Sequence, residues 1–337
     1  MTTIRFLNTQ DVSRALSVES VLNTVESVYV AKSNELTEVW PTIFRVFEEG
    51  KADLDIKSGY LKDRNLYGHK TVSWFGENES KHIPTLFGLI VVYDATTGAP
   101  LSVLDAAYIT GLRTGAAGAL GAKYLARTDS KTLLVVGGGN QAIFQIAAMV
   151  EAFPLLENIR VFDRTLQKAQ TLVSSLPTRL QDEFKLTSEH ITFEVSENLE
   201  ETTRSSDIII TVTSAREPVI KNEWVSSGTH LSCIGADMEG KQELESALLQ
   251  RAQIFVDDLP HCIEVGEIEN PIKQQVITEQ DIAGELGDHI TGKLTGRTSA
   301  DQITIFDATG MALLDIATAE SALQGAKKAG LGTEVEL

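Results

Sequence analysis

The sequence predicts an α/β protein in which a doubly wound parallel sheet interrupts an α+β domain. Three observations carry that prediction. From Lys131 onward, short apolar strands alternate with helices; before that point the apolar period is two; and the chain closes on an Ala-rich helix placed to run back to the first part. At 337 residues with 42% apolar side chains, the chain is long enough for two cores.

The elements follow in order. Val21, Leu22, Val25, Val28 and Tyr29 recur at helical spacing over 17–33 with Ser17 as a cap, which predicts an amphipathic helix. Lys70–Phe75 alternates, and Leu86–Tyr93 leads through Asp94-Ala-Thr-Thr-Gly98 into Ala99–Leu104, so residues 40–105 read as a mostly antiparallel sheet. After Asp105 comes a helix bearing Gly111, Gly115, Gly118 and Gly121. Each costs up to about 1 kcal/mol against alanine, so four of them mark a face approached closely by another backbone. The domain junction is placed within this helix.

The second part opens with strand Thr132–Val136, helix Asn140–Phe153, strand Ile159–Phe162 and helix Leu166–Leu176. Apolar runs at Asp207–Val212, Thr229–Ile234, Gln253–Val256 and Ile303–Phe306 continue the series, and Met311–Ala329 is the closing helix. Strands this apolar are covered on both faces, as in a parallel sheet. The expected division is residues 116–316 for the doubly wound domain and 1–115 with 317–337 for the other.

Composition narrows the partners. Against 29 basic residues stand 47 acidic ones, a net charge of -18, which disfavours a nucleic-acid partner and an anionic membrane surface. The N-terminal stretch has no signal-peptide pattern, and no apolar run approaches the roughly 18 residues of a spanning helix. Only Cys233 and Cys262 occur, so a soluble protein of a reducing, cytoplasmic compartment is expected. The six histidines show no metal-ligand spacing, no metal is expected, and Cys233 reads as a core residue rather than a nucleophile.

One motif carries chemistry directly. Val135-Val-Gly137-Gly-Gly139-Asn140-Gln141-Ala142 follows a strand and opens a helix, the context of a Rossmann-type dinucleotide loop. Gly137 permits the turn, Gly139 admits a pyrophosphate close to the backbone, Ala142 packs tightly, and the helix N-terminus holds the phosphates. Asp163 ends the next strand, 24 residues beyond Gly139, where it can accept from ribose hydroxyls. Asp163 favours NAD; Arg164 beside it leaves NADP open. Thr213, in the 210–215 segment, ends a strand on the nicotinamide side of such a crevice.

These segments, together with Gly68-His-Lys70, Thr85-Leu-Phe-Gly88, Gly111-Leu-Arg113-Thr-Gly-Ala-Ala117, Ile234-Gly-Ala-Asp237-Met-Glu-Gly-Lys-Gln-Glu-Leu244, Val265-Gly-Glu267 and Ile305-Phe-Asp-Ala-Thr-Gly310, resemble the ornithine cyclodeaminase/mu-crystallin family over most of the chain. The resemblance implies an NAD(P)-dependent homodimer whose terminal segments form a substrate-binding and dimerisation domain around the Rossmann domain. It also implies that Arg45, Lys70 and Arg113 bind the α-carboxylate of an amino or imino acid, with Thr85 nearby. Asp237 would act on the nitrogen beside the nicotinamide. Mu-crystallin-like proteins lack that aspartate, so an enzyme is expected rather than a passive carrier.

The chemistry agrees with those roles. An amino-acid oxidoreductase must clamp the carboxylate so that the α-carbon lies over the ring. Arginines fork onto carboxylates, and crowded cations lower a lysine's pKa, which suits Lys70 to proton relay as a catalytic group beside Asp237. One position departs from the family pattern. Thirteen residues before Lys70, where cyclodeaminases carry a glutamate for ornithine's distal amine, stands Lys57. A lysine there repels an amine and favours a second carboxylate. The leading expectation is therefore an amino-acid dehydrogenase or imino-acid reductase of the alanine, aspartate or iminosuccinate type, with an ornithine cyclodeaminase-type ammonia lyase as the alternative.

Overall fold

A computed structural model describes residues 3–337. The chain forms two compact units, one running to Arg113 and resuming over Met311–Leu337, the other Thr114–Gly310. The first boundary lies inside the helix Ala106–Leu125, and the second at Gly310, where the closing helix is about to begin.

The first unit holds β1 (Thr3–Leu7), β2 (Thr37–Glu48), β3 (Ala52–Leu61), β4 (Leu66–Phe75), β5 (Leu86–Asp94), β6 (Pro100–Asp105) and, from the C-terminus, β15 (Thr333–Glu336). They make one sheet in the order β15-β1-β6-β5-β4-β3-β2. From β2 to β6 each neighbouring pair is antiparallel, as the alternating pattern requires; β1 pairs with β6 in parallel. The helix Val18–Ser33 starts at Ser17, whose hydroxyl accepts from the Ser20 backbone N–H while the Ser20 hydroxyl accepts from that of Ser17. In the β5–β6 turn Asp94 accepts from the backbone of Thr96 and Thr97.

The closing helix, Ala312–Ala329, lies on this sheet because the sheet makes room for it. Gly59 of β3 and Gly68 of β4 are register partners, and a Cβ on either would meet the helix, 2.8 Å from Leu313 Cδ2 and 3.3 Å from Ile316 Cγ1 respectively. The helix axis is thereby brought close to the strands two residues along, at Lys57 and Lys70.

The second unit contains β7 (Thr132–Val136), β8 (Asn158–Phe162), β9 (Thr192–Val195), β10 (Ile208–Thr211), β11 (His230–Cys233), β12 (Ala252–Val256), β13 (Ile282–Glu285) and β14 (Ile303–Asp307). The sheet runs β13-β12-β14-β11-β10-β7-β8-β9 with every pair parallel. This is the doubly wound arrangement that the sequence predicts. Its strands are apolar throughout because both faces are covered; Leu134, Ile209, Leu231, Ile254 and Ile305 share one buried cluster. The strand order reverses between β7 and β10, which opens a crevice at their carboxyl ends.

Two boundaries differ from the sequence reading. The helix after the glycine loop begins at Ala142, leaving Asn140 and Gln141 in the turn. The helix from Leu166 runs past Pro177 to Asp182, because Ala169, Leu172, Leu176 and Leu180 continue one buried stripe. The small-residue face of Ala106–Leu125 is occupied as expected: Gly115 abuts the Phe144 carbonyl, Gly118 the Gln145 amide and Gly121 the Phe306 ring. Among the described residues no helix is long and apolar enough to cross a membrane.

Candidate functional site

In the first unit the structure assembles a buried charge cluster. Lys70 on β4 is 4% exposed, Arg113 on the helix Ala106–Leu125 is 7% exposed, and both meet Asp315, which is fully buried in the first turn of the closing helix. Lys70 Nζ lies 2.9 Å from Asp315 Oδ2, and Arg113 Nε donates to Asp315 Oδ1 at 3.0 Å. Lys57 of β3 is the register partner of Lys70, so their side chains leave the sheet on the same face. Three cations thus stand around one anion. Lys70 and Arg113 are both nearly withdrawn from water, so their charges and that of Asp315 act on one another with little screening.

The electrostatics follow from that packing. Burial pushes Lys70 down to about 8; Asp315 opposes the shift, and Arg113 and Lys57 add to it. The expected direction therefore holds, with desolvation rather than cation crowding as its main cause. Burial acts to raise the Asp315 carboxyl, but Arg113 and then Lys70 outweigh it and hold the group below its ordinary value. A lysine with a lowered pKa costs stability while it is protonated. The unfolded chain takes up the proton first as pH falls from 10.5, and the folded chain only near 8. Wild-type stability should therefore rise from pH 8 to 10.5, and denaturant melts of Lys70→Met should lack that rise.

Arg45 and Thr85 occupy other places. Arg45 is exposed on the edge strand β2, where its guanidinium donates to the Phe44 carbonyl. Its register partner is Leu54, in the alternate set to Lys57, so the side chains of Arg45 and Lys70 leave opposite faces of the sheet. The structure does not bring Arg45 into the buried cluster. Thr85 is half-buried just before β5, and its carbonyl accepts from the Phe75 N–H.

Sequence reasoning missed Asp315. The signal was present: one acid lies in the run Ala312–Ala319, whose other members are apolar apart from Thr318. An acid on an apolar helix needs a cation, and the nearest ones are distant in sequence.

In the second unit the glycine loop joins β7 to the helix Ala142–Ala152. Gly137 has φ +114, and a Cβ there would lie 2.8 Å from the Val212 carbonyl oxygen, so only glycine suits the position. Gly139 and Asn140 are exposed, and a Cβ on Gly139 would meet nothing within 4 Å. The loop is thus open on its outer side, ahead of a helix N-terminus. Gln141 is half-buried and Ala142 fully buried. Asp163, at the end of β8, accepts from Gly138 N at 2.8 Å and Thr165 N at 2.7 Å. A carboxylate has about four acceptor sites, so two remain for ribose hydroxyls. Arg164 beside it is exposed. These residues fit the adenosine and pyrophosphate of a dinucleotide.

Thr213 and Asp237 lie past the ends of β10 and β11. The Thr213 N–H and hydroxyl both donate to Glu243 Oε1 at 2.7 Å, so its side chain is engaged from within the domain. Asp237 is exposed and pairs with Lys241 Nζ at 2.5 Å. Cys233 and Cys262 are buried free thiols, both pushed well up by burial, which leaves neither a ready nucleophile.

A doubly wound parallel sheet with an open glycine loop ahead of a helix N-terminus defines a dinucleotide-binding protein of the Rossmann type. The chain belongs to the ornithine cyclodeaminase/mu-crystallin family, whose sequence profile matches residues 3–329. It is 34% identical to the alanine dehydrogenase of Archaeoglobus fulgidus over 333 residues, 98% of this chain and 97% of that one. Among solved structures it resembles an archaeal alanine dehydrogenase dimer with bound NAD, at 35% identity and TM-score 0.91, covering 99% of each chain. It also resembles the iminosuccinate reductase of Paracoccus denitrificans in complex with NAD+, at 27% identity and TM-score 0.91, over 99% of this chain and 100% of the other.

Proposed function

We propose that this protein is an NAD(P)-dependent oxidoreductase that interconverts a small amino acid and its imine, with a substrate bearing a second carboxylate. The observation that carries the reading is the Lys70–Asp315–Arg113 cluster with Lys57 beside it, on a chain that also holds the Gly137–Ala142 loop. Gly139, Asn140 and the helix N-terminus would hold the dinucleotide, with Asp163 on its ribose, and the bound group would supply or accept the hydride. Arg113 and Lys70 grip the α-carboxylate and fix the orientation of the α-carbon. Lys70, with its pKa near 8, can give up or regain a proton at working pH, and Asp237 is the acid/base for the substrate nitrogen.

Lys57 decides the side chain. Lys57 leaves the sheet on the same face as Lys70, and its charge acts on both Lys70 and Asp315, so a distal carboxylate would be attracted there and a distal amine repelled. Iminosuccinate reduction and aspartate-type oxidation fit this pattern, and ornithine does not. Lys57→Glu should cut turnover of the dicarboxylic substrate about a hundredfold while sparing a monocarboxylic one, in steady-state assays of NADH consumption. An unchanged substrate profile would remove Lys57 from the account. The activity itself is tested by incubating the protein with NADH or NADPH, ammonia and oxaloacetate, pyruvate or glyoxylate; proline formation from ornithine without net NADH change would establish the lyase instead.

The exposed apolar side chains Ile43, Val46, Phe47, Phe87 and Leu89 on β2 and β5, with β2 at the sheet edge, support a homodimer as the working form. Light scattering reads that mass directly. The two buried free thiols support a cytoplasmic location.

A further inference from the structure

Three acids in the segments that carry the family resemblance have no part in the chemistry above: Glu243, Glu267 and Asp307. All three are fully buried in the second unit. Glu243 accepts four hydrogen bonds. Its Oε1 takes the Thr213 N–H and hydroxyl, and its Oε2 takes the Thr211 hydroxyl at 2.7 Å and the Gly235 N–H at 2.9 Å. It therefore ties the carboxyl end of β10 to that of β11. Glu267 in turn accepts from the backbone N–H groups of Glu243 and Leu244, and Asp307 from that of Ile268.

The hydrogen bonds locate the charge. Two of the donors to Glu243 are backbone N–H groups, which cannot reverse direction, and together the four donors fill the acceptor sites of an ionised carboxylate. Burial raises the Glu243 carboxyl, but these bonds pull against it. Burial and the neighbouring Glu243 push Glu267 well up, and burial raises Asp307 to about 8, whereas Glu243 has the fullest set of donors of the three. No basic side chain pairs with any of the three among the described residues. The group nevertheless lies beside the crevice: Glu243 holds Thr213, and the preceding Val212 carbonyl lies against Gly137 of the phosphate loop.

We propose that Glu243 is a charge-selective positioning residue that favours the oxidised, cationic nicotinamide over the reduced, neutral one. This rests on the dinucleotide reading above. A buried anion with no basic partner, tied to the carboxyl ends of β10 and β11, would stabilise a cationic ring held in the crevice there and do nothing comparable for a neutral one. Preferential binding of the oxidised form makes the bound reduced form the stronger hydride donor, which biases the enzyme toward making the amino acid.

Calorimetric titration of the full chain with NAD+, NADH and ADP-ribose tests this. The unmodified protein should bind NAD+ at least as tightly as NADH. Glu243→Gln should raise the Kd for NAD+ on the order of tenfold more than that for NADH, and shift ADP-ribose, which lacks the ring, by less than about twofold. Glu243→Asp, which keeps the charge, should hold the wild-type NAD+/NADH ratio even if all three ligands weaken. An unchanged ratio in Glu243→Gln, an equal loss for all three ligands, or wild-type protein that binds NADH tenfold tighter than NAD+ overturns the proposal; the last needs no variant to fold. If the wild-type protein bound none of the three, the dinucleotide reading itself would fall, and the proposal with it.

Discussion

Asp315→Ala should unfold the first unit at a temperature about 10 °C below wild type, a loss of roughly 3–5 kcal/mol. The reason is the sign of what remains. Asp315 is fully buried and is the acid that both Lys70 and Arg113 contact, so its removal leaves two cations out of water, close together and uncompensated. The same deletion withdraws the main influence that opposes the burial shift of Lys70, so the lysine moves further below 8 and loses its charge near neutrality. Substrate affinity should fall with stability. Adding Lys70→Met in the same chain should recover part of the melting temperature, because a buried amine left without its partner is replaced by an apolar side chain, without recovering activity. Equal melting temperatures for wild type and Asp315→Ala would mean that the cluster is solvated and the site misread.

Arg113→Leu should have the opposite profile. Lys70 still neutralises Asp315, so the fold should survive with a change of about 1 kcal/mol or less, whereas kcat/KM should drop about a thousandfold. That figure corresponds to roughly 4 kcal/mol, the scale of a buried charge-assisted clamp lost from a reacting carboxylate. Arg113→Lys should restore little of it, since a point charge cannot reproduce the guanidinium fork. Circular dichroism and steady-state kinetics on the same preparation separate the two effects.

How far the sequence could be read depended on how local the determinants were. The strands of the second unit were visible because each is a self-contained apolar run: Thr132–Val136 and Ile208–Thr211 need no partner to be recognised. β1, β9, β13 and β15 were not, since short strands such as Thr333–Glu336, exposed at every position, are defined only by the strand beside them. The helix from Leu166 runs past its expected end at Leu176 for a related reason, the buried stripe through Leu176 and Leu180 carrying it through Pro177.

The site divided along the same line. Gly137 and Asp163 sit in a motif with short-range logic, whereas Lys70, Arg113 and, by counting back from Lys70, Lys57 are picked out through the family resemblance. Asp315 and Glu243 act through contacts more than 200 and about 30 residues away in sequence, respectively, and neither distance leaves a local pattern. Arg45 shows the converse: a residue placed by analogy whose strand parity sets it on the other face of the sheet from Lys70.

The most direct test of the carboxylate clamp compares NADH consumption, in the presence of ammonia, for each 2-oxo acid and its methyl ester at C1. Lys70 and Arg113 can hold only the free acid by charge, so the acid should be turned over at least a hundredfold faster in kcat/KM than the ester, and Arg113→Leu should erase most of that difference. Equal rates for acid and ester, with the preference unaltered by Arg113→Leu, would contradict the account.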